Sequence, residues 1–407
     1  MKSLRIAAAL AVLTTAFACN DNTPVSTTPP ATTPTQTTPT GTISSRLELQ
    51  DNMRQLWTQH VFWTRIYLID AIAELPSKNF TLDRLLQNQV DLGNAVKPFY
   101  GEAAGNQLTA LLTTHIQQAG ALVDAAKQND MAVVQQLTTE WYANADDIAN
   151  FLADANPNLN RDDLKAMMKK HLDTTLVEAV ARLKMDWNAD VLAYDAVLDH
   201  VMMMADALTA GFIAQFPDRL SVPTQSANGQ ALHIALRKLW EDHTSWTRVF
   251  IIADVEKQPD VLAATNRLLQ NQKDLGDAIK PYYGTAAGTA LTALLTTHIT
   301  GAVDVLHAAE SGDAAALQAA NNKWYANAND IAVFLAKANP YLDEQSLKDM
   351  MKLHLDQTLD EASKRIAKDY SGDIAAYDLV EQHILHMSDT LSAAIDQQFP
   401  NGPAAGQ

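Results

Sequence analysis

The sequence contains almost no cysteine: Cys19 is the only one in 407 residues. A single thiol excludes disulfide bonds within the chain, so a folded body must be stabilised by core burial or by a bound metal ion. Basic residues are also in deficit, since 30 Lys and Arg stand against 47 Asp and Glu and leave a formal net charge of −17. This charge disfavours nucleic acid and anionic lipid surfaces as partners.

The first residues have the pattern of a secretion signal. A basic start with Lys2 and Arg5 precedes an apolar stretch over residues 6–17 that is too short for an ordinary membrane span. The stretch ends in Ala-Phe-Ala-Cys19, which resembles a bacterial lipoprotein signal. We expect residues 1–19 to be such a signal, with Cys19 as the lipidation site. The alternative is a conventional signal peptide that is cleaved before the cysteine.

A segment dominated by Thr and Pro follows the cysteine, from residue 20 to about residue 44. Such a segment has too little apolar surface to offset its ordering entropy, so we expect a disordered tether. A lipid followed by a tether predicts an extracytoplasmic body anchored to a bacterial membrane, on the periplasmic face or at the cell surface. No later segment is expected to cross the bilayer, which leaves the N-terminal lipid as the only predicted membrane attachment.

The rest of the chain is an internal duplication. The nine residues Trp57–Arg65 return as Trp240–Arg248, and the spacing of 183 (243 − 60) is the same where Phe216-Pro217 returns as Phe399-Pro400. The spacing predicts repeat 1 over residues 45–218 and repeat 2 over 230–400. Residues 219–229 are then a linker, and residues 401–407 a disordered tail.

Each repeat has the periodicity of helices. Apolar residues recur at steps of three and four, and alternating strand patterns are absent. We therefore predict an all-α fold of two tandem homologous antiparallel helical bundles, with about five to six helices each. Pro98 is expected to end one helix, and Asp162 or Asp163 to cap another. The helices predicted for repeat 1 cover about 46–74, 80–96, 102–128, 131–154, a segment after Asp162, and 188–214.

The histidines of repeat 1 are all retained in repeat 2. All four histidines of repeat 1 recur in repeat 2, each near the middle of a helix and on its apolar stripe, whereas most glutamates do not recur. Two of the four also have a retained methionine one helical turn away. The candidate metal ligands are His60, His115, His171, His200 and Met204 in repeat 1, and His243, His298, His354, His383 and Met387 in repeat 2.

Three interpretations of these histidines are open. The first is one transition-metal ion per repeat, because neutral imidazole binds Cu, Zn, Fe or Ni and thioether favours Cu(I). The second is a buried polar core in which Asp147, Asp195 or Thr64 bonds to the rings. The third is a pocket for an organic ligand. The sequence identifies neither the metal ion nor any substrate or protein partner.

Signatures of catalysis are missing from the sequence. It contains no Gly-x-Ser-x-Gly turn, no His-Glu-x-x-His and no glycine-rich phosphate loop. This pattern favours a non-enzymatic protein, either a metal-binding one or a structural or protein-interaction module of the cell envelope.

Several retained motifs resemble an uncharacterised family of bacterial all-helical proteins. These are Trp-x2-His-x2-Trp-Thr-Arg, Arg-Leu-Leu-x-Asn, Trp-Tyr-x-Asn-Ala-x-Asp-Ile-Ala-x-Phe-Leu and the closing Gln-Phe-Pro. Members of that family commonly have one such unit, whereas this chain has two behind a lipoprotein-like signal. The resemblance implies an all-α unit and transfers no activity.

Overall fold

The computed structural model describes residues 43–403. The predicted signal peptide with Cys19, the tether up to residue 42 and the end of the tail, 404–407, lie outside the described residues.

The described part of the chain is all-α, as predicted, with an isolated bridge between Ser45 and Ser221 and no strand. Its helices, in chain order, are α1 (Arg46–Ala73), α2 (Lys78–Gln128), α3 (Met131–Ala155), α4 (Arg161–Leu183), α5 (Trp187–Gln215), α6 (Ala227–Val255), α7 (Val261–Ser311), α8 (Ala314–Ala338), α9 (Glu344–Ile366) and α10 (Tyr370–Gln398).

The chain divides into two compact units. Within the described residues, unit 1 consists of 43–72 and Leu85–Val222, and unit 2 consists of Ala73–Arg84 and 223–403. The short segment Ala73–Arg84 therefore belongs to unit 2, where Arg84 Nε donates to the carboxylate of Asp378 at 2.9 Å.

Short polar side chains begin most of the helices. Asp130 accepts the backbone N–H of Val133 at the start of α3. At the start of α4 the cap is Asn160, and not Asp162 or Asp163 as the sequence suggested. Helix α4 begins at Arg161, so both aspartates lie in its first turn, where carboxylates interact favourably with the positive end of the helix dipole.

Helix α2 reverses direction at Gly101. The sequence predicted a stop before Pro98, but the helix continues through Pro98 and breaks at Gly101, which has φ 85° and ψ 170°. A Cβ atom on Gly93 would lie 2.6 Å from the carbonyl oxygen of Gly105, so the two halves of α2 pack backbone against backbone. Only glycine adopts such dihedral angles readily, and this is why the reversal falls on Gly101.

Helix α7 of unit 2 repeats this reversal. Gly284 has φ 82° and ψ 164° there, and Gly276 and Gly288 make the same close backbone contact. Helix α6 begins at Ala227, capped by Ser226, which places its first turn inside the predicted linker.

Each unit encloses its own apolar core. In unit 2, α6 packs against α7 and α10, and α9 packs against α8 and α10. In unit 1, α4 packs against α3 and α5. Helix α1 is buried along most of its length. The retained histidines lie within these cores.

Two described helices are long and apolar enough to cross a bilayer when judged by length and composition alone. They are α5 and α7. The sequence had led us to expect that no segment after the signal peptide would be apolar enough to cross a bilayer, and this expectation differs from the result. In α5, 61% of the apolar window is buried inside the protein, and in α7 33%. Core helices pass the same test, so this result assigns neither helix to a membrane.

Candidate functional site

Three of the four retained histidines of unit 1 meet in its core. The ring centroids of His60 and His171 are 5.7 Å apart, those of His115 and His171 6.1 Å, and those of His60 and His115 6.4 Å. The rings come from α1, the second half of α2, and α4. Each of these residues is at most 4% exposed. We call these three residues the first triad.

Unit 2 contains the equivalent second triad, His243, His298 and His354. The ring of His354 lies 5.7 Å from that of His243 and 6.2 Å from that of His298. Tryptophans flank both triads: Trp141 lies 5.2 Å from His115, and Trp324 lies 5.3 Å from His298. The duplicated sequence therefore forms the same ring cluster twice.

The fourth histidine of each unit does not share this arrangement. His200 donates its Nε2 hydrogen to the backbone oxygen of Met167 at 2.8 Å, and His383 donates to that of Met350 at the same distance. A carbonyl oxygen can only accept, so this nitrogen is protonated and cannot bind a metal ion. Nε2 of His200 and of His383 is thus not available as a ligand, although both rings lie near enough to the triads to help lower the pKa of His171 and His354.

The predicted methionine ligands are placed as core residues. Met204 and Met387 are 4% and 3% exposed, respectively. A thioether with this burial is ordinary core packing unless it reaches a ligand. Ring contacts thus join three of the five candidate ligands of each unit.

Asparagine fixes the tautomer of one ring in each triad. Asn144 donates its amide N–H to the backbone oxygen of Leu111, so its Oδ1 faces Nδ1 of His115 at 3.0 Å. Nδ1 of His115 must then carry the hydrogen, and the lone pair lies on Nε2. Asn327 holds His298 in the same way, at 3.0 Å.

Glutamine occupies the equivalent position beside the α1 and α6 histidines. Gln89 Oε1 lies 3.2 Å from Nδ1 of His60, while its amide nitrogen donates to Leu85 O. In unit 2 the amide nitrogen of Gln272 is 3.3 Å from Nδ1 of His243. This glutamine was not among the residues that the sequence indicated, although the run Arg-Leu-Leu-Gln-Asn-Gln that contains it recurs in both repeats.

The third ring of each triad has an unpartnered nitrogen. Nδ1 of His171 and Nδ1 of His354 are buried, and neither has a hydrogen-bond partner among the described residues. Leaving a buried polar atom without a partner costs about 1–3 kcal/mol. A ligand that bonded to either of these two atoms would remove that cost.

Burial keeps the triads uncharged at neutral pH. Desolvation lowers the pKa of His60 to about 4 against the opposing hydrogen bond from Gln89. Desolvation, together with the nearby His60, lowers the pKa of His115 to about 3. The pKa of His171 is held well below its ordinary value by burial and by the other histidines. The second triad shows shifts in the same direction.

A second buried cluster in each unit is charged. Arg65 donates to Glu178 at 2.8 Å and to Asp190 at 2.9 Å, and these side chains are at most 2% exposed. Burial opposes the charge of Arg65, but the two carboxylates outweigh it and raise its pKa. Burial also raises the pKa of Glu178 to about 7, against the effect of Arg65. This cluster ties α1 to α4 and α5.

Unit 2 repeats the charged cluster. Arg248 donates to Glu361 at 2.8 Å and to Asp373 at 2.7 Å. The retained arginines are thus accounted for as buried ion-pair partners, which is a structural task.

The polar partners that the sequence suggested for the rings were wrong. Asp147 is exposed, and the Thr64 hydroxyl donates to the backbone oxygen of His60 at 2.7 Å and not to a ring. None of the four rings of unit 1 bonds to Asp195. Spacing along one helix cannot identify these partners, because the ring nitrogens reach across to neighbouring helices.

Over residues 43–403, no three His, Cys, Asp or Glu side chains are close enough to hold a metal ion as they stand. The predicted lipidation site Cys19 lies outside this range.

No protein-family model matches the chain, and neither a curated protein nor a solved structure matches it. The resemblance to bacterial all-helical proteins therefore stays a prediction.

Proposed function

We propose that this chain is a non-enzymatic lipoprotein of the cell envelope. Its two tandem homologous antiparallel bundles, with about five to six helices each, act as structural or protein-interaction modules on a lipid-anchored tether. The leader that ends at Cys19 and the Thr- and Pro-rich segment support the location. The helical fold of the described residues supports the modules.

The histidine cores carry this proposal. The bond from His115 to Asn144 recurs as that from His298 to Asn327, and the bond from His200 to a backbone carbonyl recurs at His383. Buried polar groups with such partners favour one arrangement of the helices over others, because a shifted helix would leave the ring nitrogens unpaired. Rigid bundles that present a fixed surface suit an interaction module.

The location is tested by labelling the full chain in a bacterium with radioactive palmitate. The wild-type chain should incorporate the label and sediment with membranes, and Cys19→Ala should lose the label. Asn20→Ala, a neighbouring change that keeps the cysteine, should remain labelled. If mass spectrometry found the mature N-terminus at an unmodified Cys19, the lipoprotein assignment would be wrong.

A further inference from the structure

We propose that each histidine triad binds one first-row transition-metal ion through three imidazole nitrogens. This inference goes beyond the proposed function and does not depend on it, because it concerns the bundle interior and not the anchor. It excludes the fourth histidine and the methionine of each unit, which the sequence had included.

The spacing of the rings is close to what an ion requires. A nitrogen about 2 Å from the ion places its ring centroid roughly 3 Å away, so three rings around one ion lie about 5.5 Å apart. The measured separations are 5.7, 6.1 and 6.4 Å in the first triad. The rings must therefore approach one another by less than about 1 Å. The rings of His115 and His171, which are stacked with an interplanar angle of 25°, must also rotate so that one nitrogen of each faces the ion.

The hydrogen bonds leave lone pairs available for the ion. In the first triad, His115 and His60 each place Nδ1 against an amide oxygen, so each retains a lone pair on Nε2. In the second triad the same holds for His298. The amide nitrogen of Gln272 faces Nδ1 of His243, so binding of an ion there also requires this amide to turn over. Metal-bound histidines typically donate their other ring hydrogen to such an acceptor, which fixes tautomer and orientation. Within residues 43–403, Nδ1 of the third ring, His171, has no hydrogen-bond partner, so an ion can bind there without breaking an existing hydrogen bond.

The charge of the surroundings favours an ion of low charge. The triads have tryptophans and other histidines as ring neighbours, and no carboxylate bonds to any triad ring in the described residues. The desolvation cost of an ion rises steeply with its charge. Copper(I) is therefore expected to bind more tightly than Zn²⁺, although neutral imidazole suits both metals.

The test uses the untagged full chain, loaded with Cu⁺ or with Zn²⁺. Loading is done both on the folded protein and during refolding from urea, because the triads are buried. Metal content is then measured after exhaustive dialysis. The expected result is two ions per chain, with Cu⁺ retained against a stronger competing chelator than Zn²⁺.

Three variants locate the ions. His171→Gln should reduce the content to one ion per chain, and His171→Gln with His354→Gln should reduce it to none. The matched control is His200→Gln with His383→Gln, which should retain two ions. Helix content by circular dichroism confirms that each variant is folded, and His115→Gln replaces His171→Gln if the latter does not fold.

Two outcomes would overturn the proposal. One is the absence of retained Cu⁺ and Zn²⁺ in the folded wild-type chain after both loading procedures. The other is an unchanged content in the double triad variant, which would place the ions on the acidic surface. Neither result would affect the palmitate experiment, so failure of the metal site and failure of the envelope assignment are distinguishable.

Discussion

At the scale of residues, the duplication identified which side chains to consider but not what each one does. The four histidines of a repeat are equivalent in the sequence, since all are retained and all lie on apolar stripes. In the structure, His115 is held by an asparagine and His200 by a backbone carbonyl, while His171 has an unpartnered nitrogen. The reason is that ring nitrogens bond across helices, and the sequence of one helix contains no information on its neighbours.

A residue-scale prediction concerns Asn144. Asn144→Ala removes the acceptor for Nδ1–H of His115 and leaves that donor buried, so it should lower the free energy of unfolding by about 1–3 kcal/mol. Urea unfolding followed by circular dichroism measures the change. Gln136→Ala, at an exposed position of the same helix, should change it by less than about 0.5 kcal/mol. Equal effects of the two substitutions would contradict the assigned role of Asn144.

At the scale of elements, the sequence indicated helices, caps and breaks, with errors at specific residues. Pro98 was expected to end a helix, yet the helix accommodates it and reverses at Gly101. A proline fixes its own φ near the helical value and removes one backbone donor, and Pro98 lies only three residues before the break, so the loss affects only the last turn of this half. The dihedral angles that turn the chain back belong to glycine, and Gly93 and Gly105 allow the two halves to touch.

An element-scale prediction concerns this reversal. A Cβ atom on Gly101 would meet no other atom within 4 Å, so the cost of Gly101→Ala is conformational alone. With φ 85° and ψ 170° the position belongs to a region used almost only by glycine, and we expect a loss of about 1–3 kcal/mol in unfolding free energy.

The matched control for this reversal is Gly312→Ala. A Cβ atom on Gly312 would also meet no other atom within 4 Å, but this glycine lies in the ordinary left-handed region, with φ 71° and ψ 9°. An alanine there should cost only about 1 kcal/mol. Thermal or urea unfolding compares the two variants, and a larger loss for Gly312→Ala would contradict the account of the reversal.

At the scale of the whole molecule, the buried titratable groups couple folding to pH. Burial lowers the folded-state pKa of four triad histidines to about 3 or 4, and burial with the neighbouring histidines lowers the pKa of His171 and His354 well below the ordinary 6.5. Below pH 6.5 the unfolded chain therefore takes up protons that the folded chain does not. The free energy of unfolding consequently decreases as the pH is lowered. Glu178 and Glu361 act in the opposite direction, because their folded-state pKa of about 7 exceeds the ordinary 4.5.

The whole-molecule prediction is a loss of stability in mild acid. Between about pH 6 and pH 4.5 the six histidines bind protons only in the unfolded chain, and the two glutamates only in the folded chain. The unfolded chain therefore binds four more protons (6 − 2) than the folded chain. Four protons correspond to at most about 5 kcal/mol per pH unit, summed over both units. Urea midpoints at pH 8, 7, 6, 5.5 and 5 should be constant above pH 7 and fall steeply below pH 6. A midpoint that stayed level down to pH 5 would show that the histidines are not buried as neutral groups.

The sequence by itself determined the all-α fold, because apolar periodicity at three and four residues is a local property that each helix carries. It also determined which residues recur, because a duplication is recognised by aligning the sequence with itself. Only the tertiary structure decided that three of the four histidines meet, that glutamine and asparagine bond to the rings, and that Ala73–Arg84 belongs to unit 2. These features depend on which helix faces share a core, and that is settled by the packing of all helices together.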